Sequence, residues 1–124
     1  MHTIRIHGPW TCAVGEERVS FRVPGPLPLT SETPQNEPIV IARVFHKPTG
    51  LDAKPDVFLY GEGIIPEASK LFLNDQEIGQ VENNQFRCEI REKMNGSNQF
   101  AIELPAACAT DSIRIDLVAL EIDE

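Results

Sequence analysis

An all-β sandwich of antiparallel strands is predicted by three observations. Apolar residues recur at every second position in several short runs, turn-forming residues separate the runs, and no amphipathic helix of several turns can be found. Ile4 and Ile6 fall on one side of an extended run, with Arg5 and His7 on the other. Val19, Phe21 and Val23 alternate with Ser20 and Arg22, and the pattern returns in Phe86, Cys88, Ile90 and in Phe100, Ile102, Leu104. Each run is expected to be a strand with one face on the core and one in water.

The remaining elements follow in order. Residues 38–45 and 57–60 are more continuously apolar, which predicts central strands covered on both sides, with the Tyr60 hydroxyl near a partner or water. Residues 113–122 change phase: Ile113, Ile115 and Leu117 occupy odd positions, then Val118, Leu120 and Ile122 even ones. Such a one-residue shift is the mark of a β-bulge, or else both faces are covered there. Only residues 90–94 read as helical. Ile90 and Met94 sit four apart before Asn95-Gly96, which predicts a single turn with a left-handed stop. Pro24, Pro26, Pro28, Pro34 and Pro38 crowd one segment, and proline removes ladder donors. That segment is expected to be a long surface connection inside one domain spanning residues 1–124. No fixed-period repeat exists.

The totals bound the function. At 124 residues and 13.8 kDa the chain fits one domain, which buries about two thirds of its unfolded surface. A net charge of −8 sets the average field against nucleic acid and anionic membranes, so neither is an expected partner. The acidic surplus gathers late, at Asp111, Asp116, Glu121, Asp123 and Glu124, but a hydrophobic content of 41% speaks against a disordered acidic chain. Cys12, Cys88 and Cys108 leave one thiol over in any pairing scheme, and no Cys-x-x-Cys spacing points to zinc or redox work. Free thiols, a reducing compartment and a soluble, cytoplasmic protein are expected, since no apolar stretch of signal-peptide or membrane-spanning length occurs. Asn95-Gly96-Ser97 is formally a glycosylation acceptor and reads more simply as a turn.

The order of short motifs carries a resemblance. Leu71-Phe-Leu-Asn-Asp-Gln-Glu-Ile-Gly79 is similar to the "Val-x-Leu-Asn-Gly-x-x-Ile-Gly" hairpin in the N-terminal sugar-binding domain of β-galactosidase and β-glucuronidase type glycoside hydrolases. Gly8-Pro-Trp10, Val23-Pro-Gly25, Ala42-Arg-Val-Phe-His-Lys-Pro48 and the "Gly-x-Asn" turn at Gly96-Ser-Asn98 resemble other pieces of the same domain. The hairpin has a physical logic of its own: Leu71 and Leu73 face inward, Asn74-Asp75 tolerate the positive φ angles of a two-residue turn, and Ile78 returns to the core. Two departures stand out. Asp75 replaces the usual Gly, and the tryptophan that commonly follows "Val-Pro-Gly" is missing. The resemblance implies a galactose-binding domain-like jelly roll. It also implies that the glycosidase acid and nucleophile belong to a separate barrel domain absent from these residues, so glycosidase chemistry is not expected here.

No constellation supplies a catalytic centre. Glu62 and Glu67 are a conceivable carboxylate pair, yet glycoside hydrolysis needs a defined separation around a sugar-sized cleft, and exposed carboxylates are the norm. His2 and His7, five apart, point to opposite faces and cannot share a metal, while His46 reads as a strand-end residue. Cys88 is expected to be a small buried hydrophobe with an unreactive thiol. No nucleophile elbow or phosphate-binding glycine loop occurs, and no cofactor, metal or catalytic residue is assigned. With Phe21, Phe86 and Phe100 inward, a sugar platform is left with Trp10, Tyr60, Phe45, Phe58 or Phe72, and Trp10 is expected to be buried at the sandwich end. The sequence therefore predicts a jelly-roll sandwich of roughly eight to nine strands. Its expected role is a non-catalytic binding or interaction module for a carbohydrate or a protein. An accessory subunit packed on a partner enzyme is the alternative, and a small hydrolase or isomerase the third reading.

Overall fold

The computed structural model describes residues 2–28, 38–48, 56–105 and 113–123. Pro34, Cys108, Asp111 and Glu124 lie outside them. Among the described residues eleven strands follow one another: β1 (His2–Arg5), β2 (Trp10–Val14), β3 (Glu17–Phe21), β4 (Gly25–Pro26), β5 (Ile39–His46), β6 (Asp56–Ile64), β7 (Lys70–Leu73), β8 (Gln76–Gln80), β9 (Gln85–Glu89), β10 (Ser97–Glu103) and β11 (Arg114–Asp123). The five-stranded sheet runs β1-β11-β6-β9 with β4 also on β11, and the six-stranded sheet runs β3-β2-β5-β10-β7-β8. All pairings are antiparallel, and the chain crosses repeatedly between the sheets, giving the expected jelly-roll β-sandwich. The strands outnumber the eight to nine expected in part because β4 is a two-residue pairing hidden in the proline-rich run. Among the described residues no helix is long and apolar enough to cross a membrane.

The alternating runs supply the core as predicted. Val57, Leu59, Phe86, Ile115, Val118, Leu120 and Ile122 from the five-stranded sheet share one core with Trp10, Ile41, Leu71, Leu73, Phe100 and Ile102 from the other, and Ile90 and Leu104, just past the ends of β9 and β10, join them. Val19 departs from the pattern, being 48% exposed on β3, the outermost strand of the wider sheet. β5 and β6 are central strands, but only their inner faces are buried. Their outer residues are half-buried or exposed, because no third layer covers either sheet among the described residues. The phase change in the last run is a bulge: Ile115 pairs with Gly63 and Leu117 with Glu62, leaving Asp116 as the extra residue. A Cβ on Gly63 would overlap the Arg114 carbonyl, so glycine is what lets the bulged strand approach.

A line of rings joins the layers. Phe86 packs against Phe100 with centroids 5.6 Å apart, Phe100 meets Trp10 edge-on at 6.0 Å, and Trp10 meets Phe21 at 6.4 Å. Phe86 lies across its cross-strand neighbour Gly61, where an added Cβ would overlap the ring. The indole N–H of Trp10 has no acceptor among the described residues.

A polar knot joins two of the motifs. Asn74 and Asp75 take φ angles of 52° and 67°, closing the β7–β8 hairpin as predicted. The Asn74 carboxamide donates to Asn98 Oδ1 at 3.0 Å and accepts from Gln99 N at 2.9 Å. Asn98, 1% exposed, also takes the Asn95 N–H at 2.7 Å and gives its own to the Asn95 carbonyl at 2.9 Å. This closure corrects the helical expectation for residues 90–94. The segment is a turn with Lys93 N on Ile90 O at 2.9 Å, and neither Asn95 nor Gly96 adopts a positive φ. The Asn98 side chain does the work assigned to a left-handed cap. Ile78 is the bulged residue of β8, since Leu71 pairs with Gly79 and Phe72 with Glu77, and it packs half-buried on the core.

Two outcomes test this account by equilibrium urea unfolding. Gly61→Ala should lower stability by about 1–3 kcal/mol through overpacking against Phe86, and should cost much less in a Phe86→Leu background because the sites are coupled. Asn98→Ala should cost about 1–3 kcal/mol, the penalty of stranding buried polar groups; a change indistinguishable from zero would remove the knot from the account.

Candidate functional site

The two sheets present outer faces of opposite chemistry. On the five-stranded sheet, β6 displays Phe58, Tyr60 and Glu62, flanked by Arg87 of β9 and Glu121 of β11. Arg87 stacks its guanidinium 3.7 Å above the Phe58 ring and sets Nε 3.0 Å from Glu121 Oε1. The Tyr60 hydroxyl donates to Glu62 Oε2 at 2.7 Å, so of the two expectations, a partner or water, the structure shows a partner. That bond, with minor help from desolvation and from the charges of Glu62 and Glu121, holds the phenol above its ordinary range, since ionisation would remove the donated proton and set two anions together. Both aromatic side chains are therefore engaged by the protein's own charged groups.

The six-stranded sheet is different. Thr11 of β2 lies opposite Ala42 of β5, Ala42 opposite Ala101 of β10, and Ala101 opposite Phe72 of β7, forming one row of small and apolar side chains across four strands. Ala13 and Val40 pair in the next row on one side, and Val44, 49% exposed, follows Ala42 on the other side, opposite Gln99. Arg18, Glu103, Lys70 and Glu77 are exposed around this apolar centre. The pleat alone dictates the arrangement: inner positions of β5 and β10 are large, so the alternate residues, even-numbered in β5 and odd-numbered in β10, turn outward.

The other candidates separate. Trp10 and Phe45 are buried and offer no platform, while Phe58 and Phe72 are half-buried on opposite outer faces. Glu62 is tied to Tyr60, whereas Glu67 accepts the Asn83 N–H at 2.9 Å over the β8–β9 turn, so each serves a separate local bond. His2 lies in β1, His7 beyond its end, and His46 ends β5, all exposed. Among the described residues no group of three or more His, Cys, Asp or Glu could hold a metal ion. Cys12 is buried and its thiol is pushed up to about 11 by desolvation. Cys88 is half-buried rather than fully buried, because its edge strand β9 leaves one flank open; desolvation raises its thiol and the charge of Lys93 opposes this. Sequence reasoning missed Arg87. The signal was the alternation itself, which sets Arg87 outward between Phe86 and Cys88 and opposite Tyr60.

This geometry has counterparts among solved structures. The chain resembles a β-D-mannosidase from Dictyoglomus thermophilum, with a TM-score of 0.65 and 20% identity over 84% of this chain and 16% of that one. It resembles a Bifidobacterium dentium β-glucuronidase complexed with coumarin-3-O-glucuronide, with a TM-score of 0.74 and 14% identity over 98% of this chain and 30% of that one. A putative β-galactosidase from Bacteroides fragilis gives 0.73 and 13%, covering 98% of this chain and 23% of its own. At such identities the likeness is one of fold. It is the fold of a part of glycosidase chains, and this chain spans less than a third of the length of each of these three. No protein-family model matches the sequence, and no curated protein matches it. The fold is thus the one that the sequence motifs implied.

The chain has one tyrosine, so absorbance near 295 nm (ordinary phenolate band) reports Tyr60 alone. Its titration midpoint should lie above that of a free tyrosine, and Glu62→Ala should lower it; an unmoved midpoint would dissociate the pair.

Proposed function

We propose that this chain is a non-catalytic, carbohydrate-related module that works by seating the outer face of its six-stranded sheet on a protein surface. The observation that carries the reading is the row Thr11, Ala42, Ala101 and Phe72, extended by Ala13, Val40 and Val44: small and mostly apolar, and without the convergent polar groups that fix a small ligand. A polar rim around an apolar centre is the anatomy of a protein interface. The similar solved chains support the reading from another side, since this fold takes up only 16% of one glycosidase and 30% of another. Association with an enzyme of that class is the form of partnership proposed.

Recognition of free sugar is the second reading, favoured by the aromatic side chains Phe58 and Tyr60. It is weakened by the same geometry. Stacking of a pyranose requires an open ring face, and Arg87 already covers Phe58 while Glu62 holds the Tyr60 hydroxyl.

Photo-crosslinking in cells that natively make the chain separates the two surfaces. A crosslinker at Val44 should yield a protein adduct that Ala101→Asp abolishes, and one at Arg87 should yield none. Adducts from Arg87 alone, or from neither position, would overturn the proposed face. Calorimetric titration with neutral mono- and oligosaccharides should give dissociation constants weaker than about 1 mM, and micromolar binding would reinstate the sugar reading.

A further inference from the structure

Two crossings between the sheets run side by side at one corner: residues 6–9, leading from β1 to β2, and residues 22–24, leading from β3 to β4. A Cβ on Gly8 would stand 3.1 Å from both Arg22 Cα and Phe21 O, so the two backbones touch. The crossings carry Gly8-Pro9-Trp10 and Val23-Pro24-Gly25, two sequence motifs of which the core takes only Trp10 and Val23. Beside them opens a hollow of about 510 Å³ lined by His7, Gly8, Pro9, Arg22, Val23 and Pro24. A second, of about 40 Å³, shares His7, Val23 and Pro24 and is bounded further by Arg5 and Asp116. The walls are stiff. Pro9 and Pro24 have fixed φ and no N–H, and Arg43 clamps the His7 carbonyl from the neighbouring sheet at 2.8 Å.

The charge here runs against that of the whole chain. Arg5, His7 and Arg22 have exposed side chains with no hydrogen bond or ion pair to any described residue, in a protein of net charge −8. Asp116, the carboxylate lining the smaller hollow, is already paired with Arg114 at 2.6 Å. A lone surface cation needs no explanation. Here Arg22 and His7 line the larger hollow and Arg5 the smaller one beside it, so two guanidinium groups and an imidazole flank an open hollow with prolines for walls, its volume within the roughly 300 to 1,000 Å³ of ligand pockets.

We propose that this corner binds a small organic ligand through a carboxylate group. Arg22 takes the planar anion through paired N–H donors, the His7 imidazole adds a polar contact, Arg5 at the adjoining smaller hollow adds positive charge, and Pro9, Val23 and Pro24 pack on the ligand's body. A hexuronate has the right charge and bulk. The net negative charge of the chain does not forbid this, because it is screened beyond about 8–10 Å at physiological salt. Sulfate and phosphate share the oxyanion chemistry, and the experiment separates them. The site stands apart from the outer sheet face and does not rest on the proposed protein partner.

The test is a titration of ¹⁵N-labelled protein followed by NMR, with sodium glucuronate, glucose, sulfate and inorganic phosphate at matched ionic strength. Glucuronate should shift amides at residues 6–8 and 22–25 and saturate, glucose should not, and Arg22→Ala should weaken binding by about tenfold or more while keeping the dispersed spectrum of the folded protein. Val44→Asp should leave the titration unchanged, so loss of the partner face and loss of this site are told apart. Shifts scattered over the surface, insensitivity to Arg22→Ala, or saturation by sulfate or phosphate without glucuronate would each overturn the proposal.

Discussion

The sandwich depends on the line of rings that runs from Phe86 through Phe100 and Trp10 to Phe21. It is the element that crosses from one sheet to the other with large, stiff groups, and so it fixes how far apart the layers sit. Its first link needs an absence, the missing side chain of Gly61, over which Phe86 lies. Strand pairing could form without these rings, but the facing sheets would then have no common register, and smaller residues such as Val57, Leu71 and Ile102 would have no fixed depth to fill.

Much of this was legible in the sequence, for reasons that can be named. Alternation over Phe100, Ile102 and Leu104 specifies a half-buried strand because a side-chain period of two has no other simple reading, and the structure buries all three. The phase change in residues 113–122 announced the bulge for the same reason. The hairpin at Asn74-Asp75 was legible because few residues accept positive φ. What escaped were features made by long-range partners. Residues 90–94 have helical spacing, yet Asn98 captures the backbone of Asn95 and closes a turn instead. β4 is invisible inside a run of prolines because only its partner β11 makes it a strand. The candidate surfaces were the least legible of all, since Arg87 over Phe58 and the row from Thr11 to Phe72 exist only once registers are set.

The same pleat that builds the core also assigns the surfaces. In the six-stranded sheet the bulky residues of β5 and β10 are spent inward, which leaves Ala42 and Ala101 to face out and makes that side smooth. In the five-stranded sheet Phe58 and Tyr60 face out beside charged neighbours that occupy them. One face can thus meet a large flat surface, whereas the other is already satisfied by itself. The corner at Gly8 and Arg22 lies outside both regimes, where the chain leaves one sheet for the other and neither pleat governs side-chain direction.

The bulge at Asp116 carries an implication for the relatedness of such domains. Because one supernumerary residue sets the parity of everything after it in β11, Val118, Leu120 and Ile122 reach the core only if that residue is kept. Recombination between two domains of this fold would succeed at this strand only if both parents hold the extra residue on the same side of the splice. Chimaeras cut within residues 115–117 would therefore divide into two populations by reading parity rather than by sequence similarity.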